Sequence, residues 1–389
     1  MSHLLKQAKG VSKMSKKSLS IFACVLAFII GVFGGFAALT YIYIPNTDVV
    51  EISDEVFYGN DDLVSSDLAD VSNANISVHF LELGNKYTGD CTYIKTETCD
   101  ILIDCGSKVN SVATVSNYLN QYVEDGKLEY VIVTHAHQDH YAGFATSGKT
   151  KGIFDLYECE TIIDFAGTTT GKQDTALYKK YQAKLGAEVD AGATHYTALE
   201  CVEGTSEFDI GRGYTLEILD SHYYHHVDTT NENNNSVCCL VSNGTQNYLF
   251  TGDLEEEGET YLTTLNSLPH VDLYKAGHHG SKTSSSAAFL QVIQPKVVYV
   301  CCCAGSSEYT TVNDNQFPTQ TFVNNVSVWT DKIYVTTLCL DYKNNKFTSF
   351  NGNIVFMEKD NENKLWCSNN TTKLKDTEWF SKNRTWPSS

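Results

Sequence analysis

A chain of 389 residues with 42% hydrophobic and 12% aromatic side chains can bury a sizeable core and is too apolar to be disordered. Its net charge is −19, and its first 45 residues carry five lysines (Lys6, Lys9, Lys13, Lys16, Lys17) and no acid, so the remainder is more acidic still. Such a body repels polyanions at long range. That weighs against tight non-specific nucleic-acid binding, while leaving room for a local basic groove or for metal ions that bind phosphate.

In chain order, residues 1–20 read as a basic cytoplasmic segment. Residues 21–44 contain no charged side chain and are long enough to cross a bilayer as a helix. The lysines before them favour a cytoplasmic N-terminus, so the expectation is a single-pass membrane protein with an uncleaved signal anchor and an extracellular catalytic domain. A cleaved signal peptide is the alternative. Residues 45–75 are an acidic, polar linker. From Ile76 the pattern becomes strand-like, with strands at 76–81, 91–94, 100–104 and 128–133, and helical spacing at 109–124 and 172–186. A hairpin follows at 237–242 and 247–250, turning at Asn243-Gly244, and then short strands at 272–275 and 296–300 flank a helix at 285–293. Strand and helix groups of this kind form sheets covered by helices, here over residues 76–357. Cys91 and Cys99 fall where a hairpin could pair them, and an exported chain permits disulfides. The tail at 358–389 is polar, and its Trp366, Trp379 and Trp386 either pack back on the domain or meet something outside it.

His135-Ala136-His137-Gln138-Asp139-His140 follows the apolar run 128–133. Four potential ligands within six residues, mixing imidazole and carboxylate, suit zinc or a similar divalent ion. A strand end sets such ligands on a loop held by a rigid scaffold. A surface His-rich loop is the plain alternative, but further segments supply partners. Gly89-Asp90 and Leu102-Ile103-Asp104-Cys105-Gly106 precede the motif. Asn233-Asn234-Asn235-Ser236, Thr251-Gly252-Asp253 and Lys275-Ala276-Gly277-His278-His279-Gly280-Ser281-Lys282-Thr283 come after it. The acidic and histidine groups come just after apolar strands, so all can meet at one edge of the sheets.

Together these segments resemble the metallo-β-lactamase superfamily and, more narrowly, the soluble hydrolase domain of ComEC-type DNA-uptake proteins. The resemblance implies an α+β fold, a four-layer αββα sandwich, with two divalent metal ions; zinc is the expected ion and manganese the alternative. It implies that His135 and His137 hold one ion, that Asp139 and His140 hold the other, and that Asp253 bridges them. His278 would complete the second site, and His279 would orient substrate or shuttle protons, with the reverse order open. Asp139 and His279 are the expected catalytic residues. Asp104 and Asn235 would support the ligands from behind, and Lys275, Ser281 and Lys282 would bind the substrate anion. Many superfamily members add a third histidine to the first metal; the candidates are His195, His222, His225 and His226. Phe317 stands where ComEC-like chains carry a histidine. The implied reaction is attack of a metal-activated hydroxide on a phosphodiester or related ester. The alternatives are a lactonase or β-lactamase-like hydrolase, a phosphocholine-type esterase, or a non-catalytic surface binding module of the same fold. The expected partner is a small-molecule or phosphoester substrate; nucleic acid is permitted but not favoured by the acidic charge.

Overall fold

The computed structural model describes residues 64–65, 71, 73–145 and 149–388. Two sheets face each other. In chain order the first contains β1 (Val64–Ser65), β2 (Ile76–Phe80), β3 (Thr92–Thr96), β4 (Asp100–Ile103), β5 (Lys127–Ile132), β6 (Glu158–Asp164) and β7 (Thr194–Thr197). The second contains β8 (Glu207–Gly211), β9 (Tyr214–Ile218), β10 (Cys239–Ser242), β11 (Asn247–Phe250), β12 (Leu273–Lys275), β13 (Val297–Ala304), β14 (Ile333–Asp341) and β15 (Lys346–Ser349). The chain then returns to the first sheet as β16 (Ile354–Lys359) and β17 (Glu362–Cys367). The sheet orders are β1-β17-β16-β2-β3-β4-β5-β6-β7 and β15-β14-β13-β12-β11-β10-β9-β8.

The core lies between the sheets and beneath helices on their outer faces. Phe80 of β2 stacks on Tyr299 of β13 at 4.5 Å, joining the two inner faces. β13 is buried along its whole length because it has two apolar faces. Tyr299 and Cys301 face the inner core, while Val298, Val300 and Cys302 pack with Phe289, Leu290 and Ile293 of helix Ala287–Ile293 and with Phe322, Val323 and Val326 of helix Gln320–Val326. A strand covered on both sides reads as a continuous apolar run, which is why 296–300 was legible.

The central strands of each sheet, β4-β5-β6-β7 and β11-β12-β13-β14, run parallel. The loops leaving their carboxyl ends therefore gather at one rim, where ligands bind in open α/β sheets.

Three expectations change. The single-pass membrane placement is corrected: among the described residues no helix is long and apolar enough to cross a membrane, and residues 21–44 themselves lie outside them. The sheet does not stop at 357, since β16 and β17 run to Cys367, and Trp379 and Trp386 pack against the outer core. All twelve described cysteines are free and buried; Cys91 precedes β3 and Cys99 precedes β4, at opposite ends of that hairpin.

Helix Glu256–Leu265 carries Glu259, which is fully buried and accepts hydrogen bonds from the backbone N–H groups of Ser285 and Ser286. Burial pushes its carboxyl up to about 7. A folded-state value raised above the unfolded one means that the folded state binds the extra proton. Its contribution to stability is fully present below the unfolded pKa and is lost as pH rises through about 7. Relative to Glu259→Gln, the parent chain should lose on the order of 3 kcal/mol over that rise, measured by urea unfolding of both proteins across pH. Parallel pH profiles would disprove it.

Candidate metal centre

β5 ends at Ile132, and the chain enters the histidine loop through Thr134, whose backbone N–H and Oγ1 both donate to Asp104, at 2.8 and 2.7 Å. Asp104 follows β4 with φ +58°, the left-handed region, which turns its carboxylate beneath the loop. The same carboxylate accepts from His140 Nδ1 at 2.7 Å. Glu232 braces the loop from the other side, accepting from Ala136 N at 3.1 Å and Thr169 N at 2.7 Å.

With Nδ1 engaged, His140 presents Nε2 to Asp253 Oδ2 at 3.1 Å. His279 is oriented in the same way. Its Nδ1 donates to the carbonyl of Cys301 at 2.7 Å, and its Nε2 lies 3.3 Å from Asp253 Oδ2 and 3.5 Å from Asp139 Oδ2. Both Nε2 atoms are buried and have no hydrogen-bond partner. A tetrahedral ion with bonds of about 2.0–2.2 Å sets neighbouring donors roughly 3.3–3.6 Å apart. The His279–Asp253 and His279–Asp139 spacings fall in that range and His140–Asp253 lies just below it, and unpartnered imidazole nitrogens beside carboxylates are the donor chemistry such an ion needs. Asp90 joins the same buried cluster from the Nδ1 side of both rings, 3.7 Å from His140 and 3.4 Å from His279.

His135 and His137 form a second pair, with Nε2 of the first 3.0 Å from Nδ1 of the second. Burial lowers His135 well below the usual imidazole value and His137 to about 4, so both are neutral and able to bind a cation. Thr134 Oγ1 and Ser236 Oγ lie 3.1 and 3.4 Å from His135 Nδ1. At His140 and His279 burial acts in the same direction but is outweighed by the carboxylates, Asp253 first, so both are raised well above the usual range. Four carboxylates (Asp90, Asp104, Asp139, Asp253) surround the Lys275 ammonium and the two imidazoles, His140 and His279, whose protons they hold. A divalent cation bound there would take the place of those imidazole protons, so metal affinity should fall as pH falls.

The placement of the sequence-derived residues is mixed. Asp104, His135, His137, Asp139, His140 and Asp253 come together. The two adjacent histidines exchange places. His278 and His279 both adopt left-handed φ, 45° and 53°, and the inflection throws His279 inward and His278 toward Glu255 Oε1, 3.3 Å away. Lys275 is not a substrate binder: 3% exposed, it forms an ion pair with Asp90, donates to the Gly252 carbonyl at 2.9 Å and lies 3.6 Å from Asp253. Asn235 does not back a ligand, because its amide oxygen accepts from Asp228 N and its amide nitrogen donates to Asp228 O; Ser236 is the residue that reaches His135, and its Oγ accepts from Asp253 N at 3.0 Å. Ser281 is buried and bonded to Thr283, whereas Lys282 is at the surface on Asn315 Oδ1. The candidates for a third histidine are engaged elsewhere. His195 bonds Asp164, His222 stacks on Tyr261 and meets the tilted ring of His226, and His225 pairs with Asp220.

Residues not picked out for the site are Asp90, Glu255 and Tyr309. Glu255 gathers Asn231, Asn233, Thr283 and His278, and those partners outweigh its burial and hold its carboxyl down at about 2. Asp90 stood in the Gly89-Asp90 segment, but nothing in its spacing marks it as buried behind two histidines.

Residues 84–304 match the profile of the metallo-beta-lactamase superfamily. Over 180 residues, 45% of this chain, the sequence is 26% identical to ComE operon protein 3 of Bacillus subtilis (strain 168). Over 61 residues, 16% of the chain, it is 38% identical to Recombination protein 2 of Haemophilus influenzae. These alignments take in 20% and 8% of the relatives' lengths, so the chain spans a fifth or less of the curated proteins it matches. Among solved structures, the metallo-beta-lactamase fold protein YhfI from Bacillus subtilis is similar at a TM-score of 0.38 and 13% identity, covering 67% of this chain and 95% of that one. A probable metal-dependent hydrolase from Staphylococcus aureus is similar at a TM-score of 0.29 and 14% identity, covering 46% and 73%. With its two facing sheets, its rim of histidines and carboxylates, and more than half its length matched by the profile, the chain belongs to the metallo-beta-lactamase superfamily, a fold of metal-dependent hydrolases.

Proposed function

We propose that the chain hydrolyses a phosphodiester or related ester at this centre. The observation that carries the reading is the convergence of two buried, unpartnered imidazole Nε2 atoms on Asp253, one of them also beside Asp139. Asp139, His140, His279 and Asp253 would hold one divalent ion; His135 and His137 would hold another, with Asp253 the candidate bridge. Bound there, such ions supply Lewis-acid polarisation and activate water at neutral pH. The protein's own contribution is orientation: Asp104 fixes His140, the Cys301 carbonyl fixes His279, and Lys275 offsets part of the carboxylate charge.

Support for an anionic ester comes from lysines close in sequence to residues of the centre: Lys86 to Asp90, Lys108 to Asp104 and Lys282 to His279. Lys108 follows Gly106, whose α-carbon lies against the Asp139 backbone; its Nζ sits over the Tyr87 ring at 4.5 Å. Lys86 lies over Tyr342 at 4.1 Å, and Lys282 donates to Asn315 Oδ1 at 3.0 Å. Cations on the loops that carry residues of the centre suit a phosphate ester better than a neutral lactone. The test is a panel assay of the full chain with zinc or manganese against bis-p-nitrophenyl phosphate, single-stranded DNA, a lactone and a β-lactam. Turnover of a phosphodiester is expected. Turnover confined to the lactone or the β-lactam would overturn the reading.

A further inference from the structure

The segment that the sequence left undecided, the C-terminal tail, reaches the centre through a loop. Residues 305–317 leave β13 and close on themselves, since Gly305 N donates to the Phe317 carbonyl at 2.8 Å. The loop is fixed on both flanks. On one side Glu308 accepts from Thr88 N at 2.8 Å and pairs with Lys108 at 3.3 Å, and Ser306 Oγ donates to the Lys86 carbonyl at 3.2 Å. On the other side Arg384 is only 6% exposed and gathers four backbone carbonyls. Its Nε donates to Pro318, its Nη1 to Asn383, and its Nη2 to Asn313 and Gln316, at 2.6–3.1 Å. Its guanidinium lies over the Trp379 ring at 5.1 Å, and that indole packs against the backbone of Gly305. Between these anchors stands Tyr309. Its side chain is 58% exposed, yet its hydroxyl donates to Asp139 Oδ2 at 2.7 Å, the oxygen that faces His279 Nε2.

An exposed tyrosine without restraint would sample several rotamers and hold no fixed bond. Here both flanks of its loop are tied down, so the hydroxyl is delivered to one carboxylate oxygen. We propose that Tyr309 is a positioning residue for the metal ligand Asp139, and that Arg384 acts on the centre through it by bracing the loop. The proposal rests on the metal-centre reading above. A carboxylate ligand held by a hydrogen bond from a fixed partner binds its ion more tightly, and loss of such a partner typically weakens affinity about 10- to 100-fold. Arg384 suits the task because its planar fork can meet several carbonyls at once, which a lysine cannot.

The experiment is metal titration of the full chain by chelator competition, with cobalt as a spectroscopic probe, for the parent, Tyr309→Phe, Arg384→Lys and the double variant. The parent should bind cobalt with visible ligand-field absorption. Tyr309→Phe should weaken one bound equivalent about 10- to 100-fold and change that absorption while leaving the unfolding midpoint of the metal-free chain unchanged. Arg384→Lys should weaken the same equivalent, and the double variant should be no weaker than the worse single one, since both act through Asp139. Identical affinity and absorption in Tyr309→Phe would overturn the proposal with the centre left standing. A parent chain that binds no metal would instead overturn the centre, and the proposal with it. The phenylalanine variant keeps the test decisive even where the arginine change disturbs folding.

Discussion

Asp253→Asn should leave the fold intact and remove both metal and hydrolysis. The side chain keeps its shape, and the contact from its backbone N–H to Ser236 Oγ at 3.0 Å does not depend on the carboxylate. What changes is the group on which His140 and His279 converge. An amide carries no charge to share between two cations. Of the remaining carboxylates, Asp104 is committed to Thr134 and His140 and Asp90 to Lys275, which leaves Asp139 facing His279. Lys275 keeps Asp90 and the Gly252 carbonyl, so the variant does not strand a buried ammonium. Losing the shared ligand of a charge-stabilising centre should lower kcat/KM by about 10³-fold or more. Elemental analysis after zinc loading, alongside turnover of the substrate found in the panel, is the check. A variant that retains the full metal complement and a rate within about tenfold of the parent would show that Asp253 is not the shared ligand.

Much of the fold was legible because each sheet has strands with a plain hydrophobic signature. β13 is apolar without interruption, and the Asn243-Gly244 turn marks the β10–β11 hairpin. The last hairpin escaped notice because its polar residues do structural work. Glu358 is buried in β16, where it accepts from Asn75 and Tyr214, and Asp360 and Asn361 make the turn at positive φ. An Asp-Asn pair between two strands is itself a hairpin signal, and reading composition alone passes over it. Arg384 hides in the same way, as one cation in a polar tail whose partners are backbone carbonyls.

At the site, residue type was a better guide than order along the chain. The HxHxDH loop and Asp253 meet because parallel strands release them at one rim. Distance from the strand end favoured His278 over His279, but two successive left-handed residues invert which ring points inward, and no periodicity forecasts that inversion. A lysine beside a metal motif suggests an anion binder, yet Lys275 is enclosed by carboxylates. Tyr309 sits in a loop without a motif, and its role depends on contacts from residues far away in sequence.

Gly106→Ala should be among the most damaging single-methyl changes in the chain. A β-carbon on Gly106 would stand 1.4 Å from the carbonyl oxygen of Asp139 and 2.0 Å from its carbonyl carbon. Both are backbone atoms, so no flexible side chain can yield. The oxygen in the way also accepts the backbone N–H of Asp90 at 3.0 Å, while Gly106 N donates to the Asp90 carbonyl at 2.8 Å and Cys105 N to the His140 carbonyl at 2.7 Å. Making room must therefore displace Asp90, Asp139 and His140 together, which couples stability to the metal centre. Overpacking of this kind should cost about 3 kcal/mol or more and weaken metal binding at the same time. Gly126 supplies the control. It has φ +80° and nothing within 4 Å of its would-be β-carbon, so alanine there meets only backbone strain. That strain should cost about 1–2 kcal/mol with no effect on metal. Urea unfolding of both variants, with and without zinc, separates the two. If Gly106→Ala lost no more stability than Gly126→Ala and bound metal as the parent does, the close approach of the Gly106 turn to the ligand loop would not be what sets the geometry of the centre.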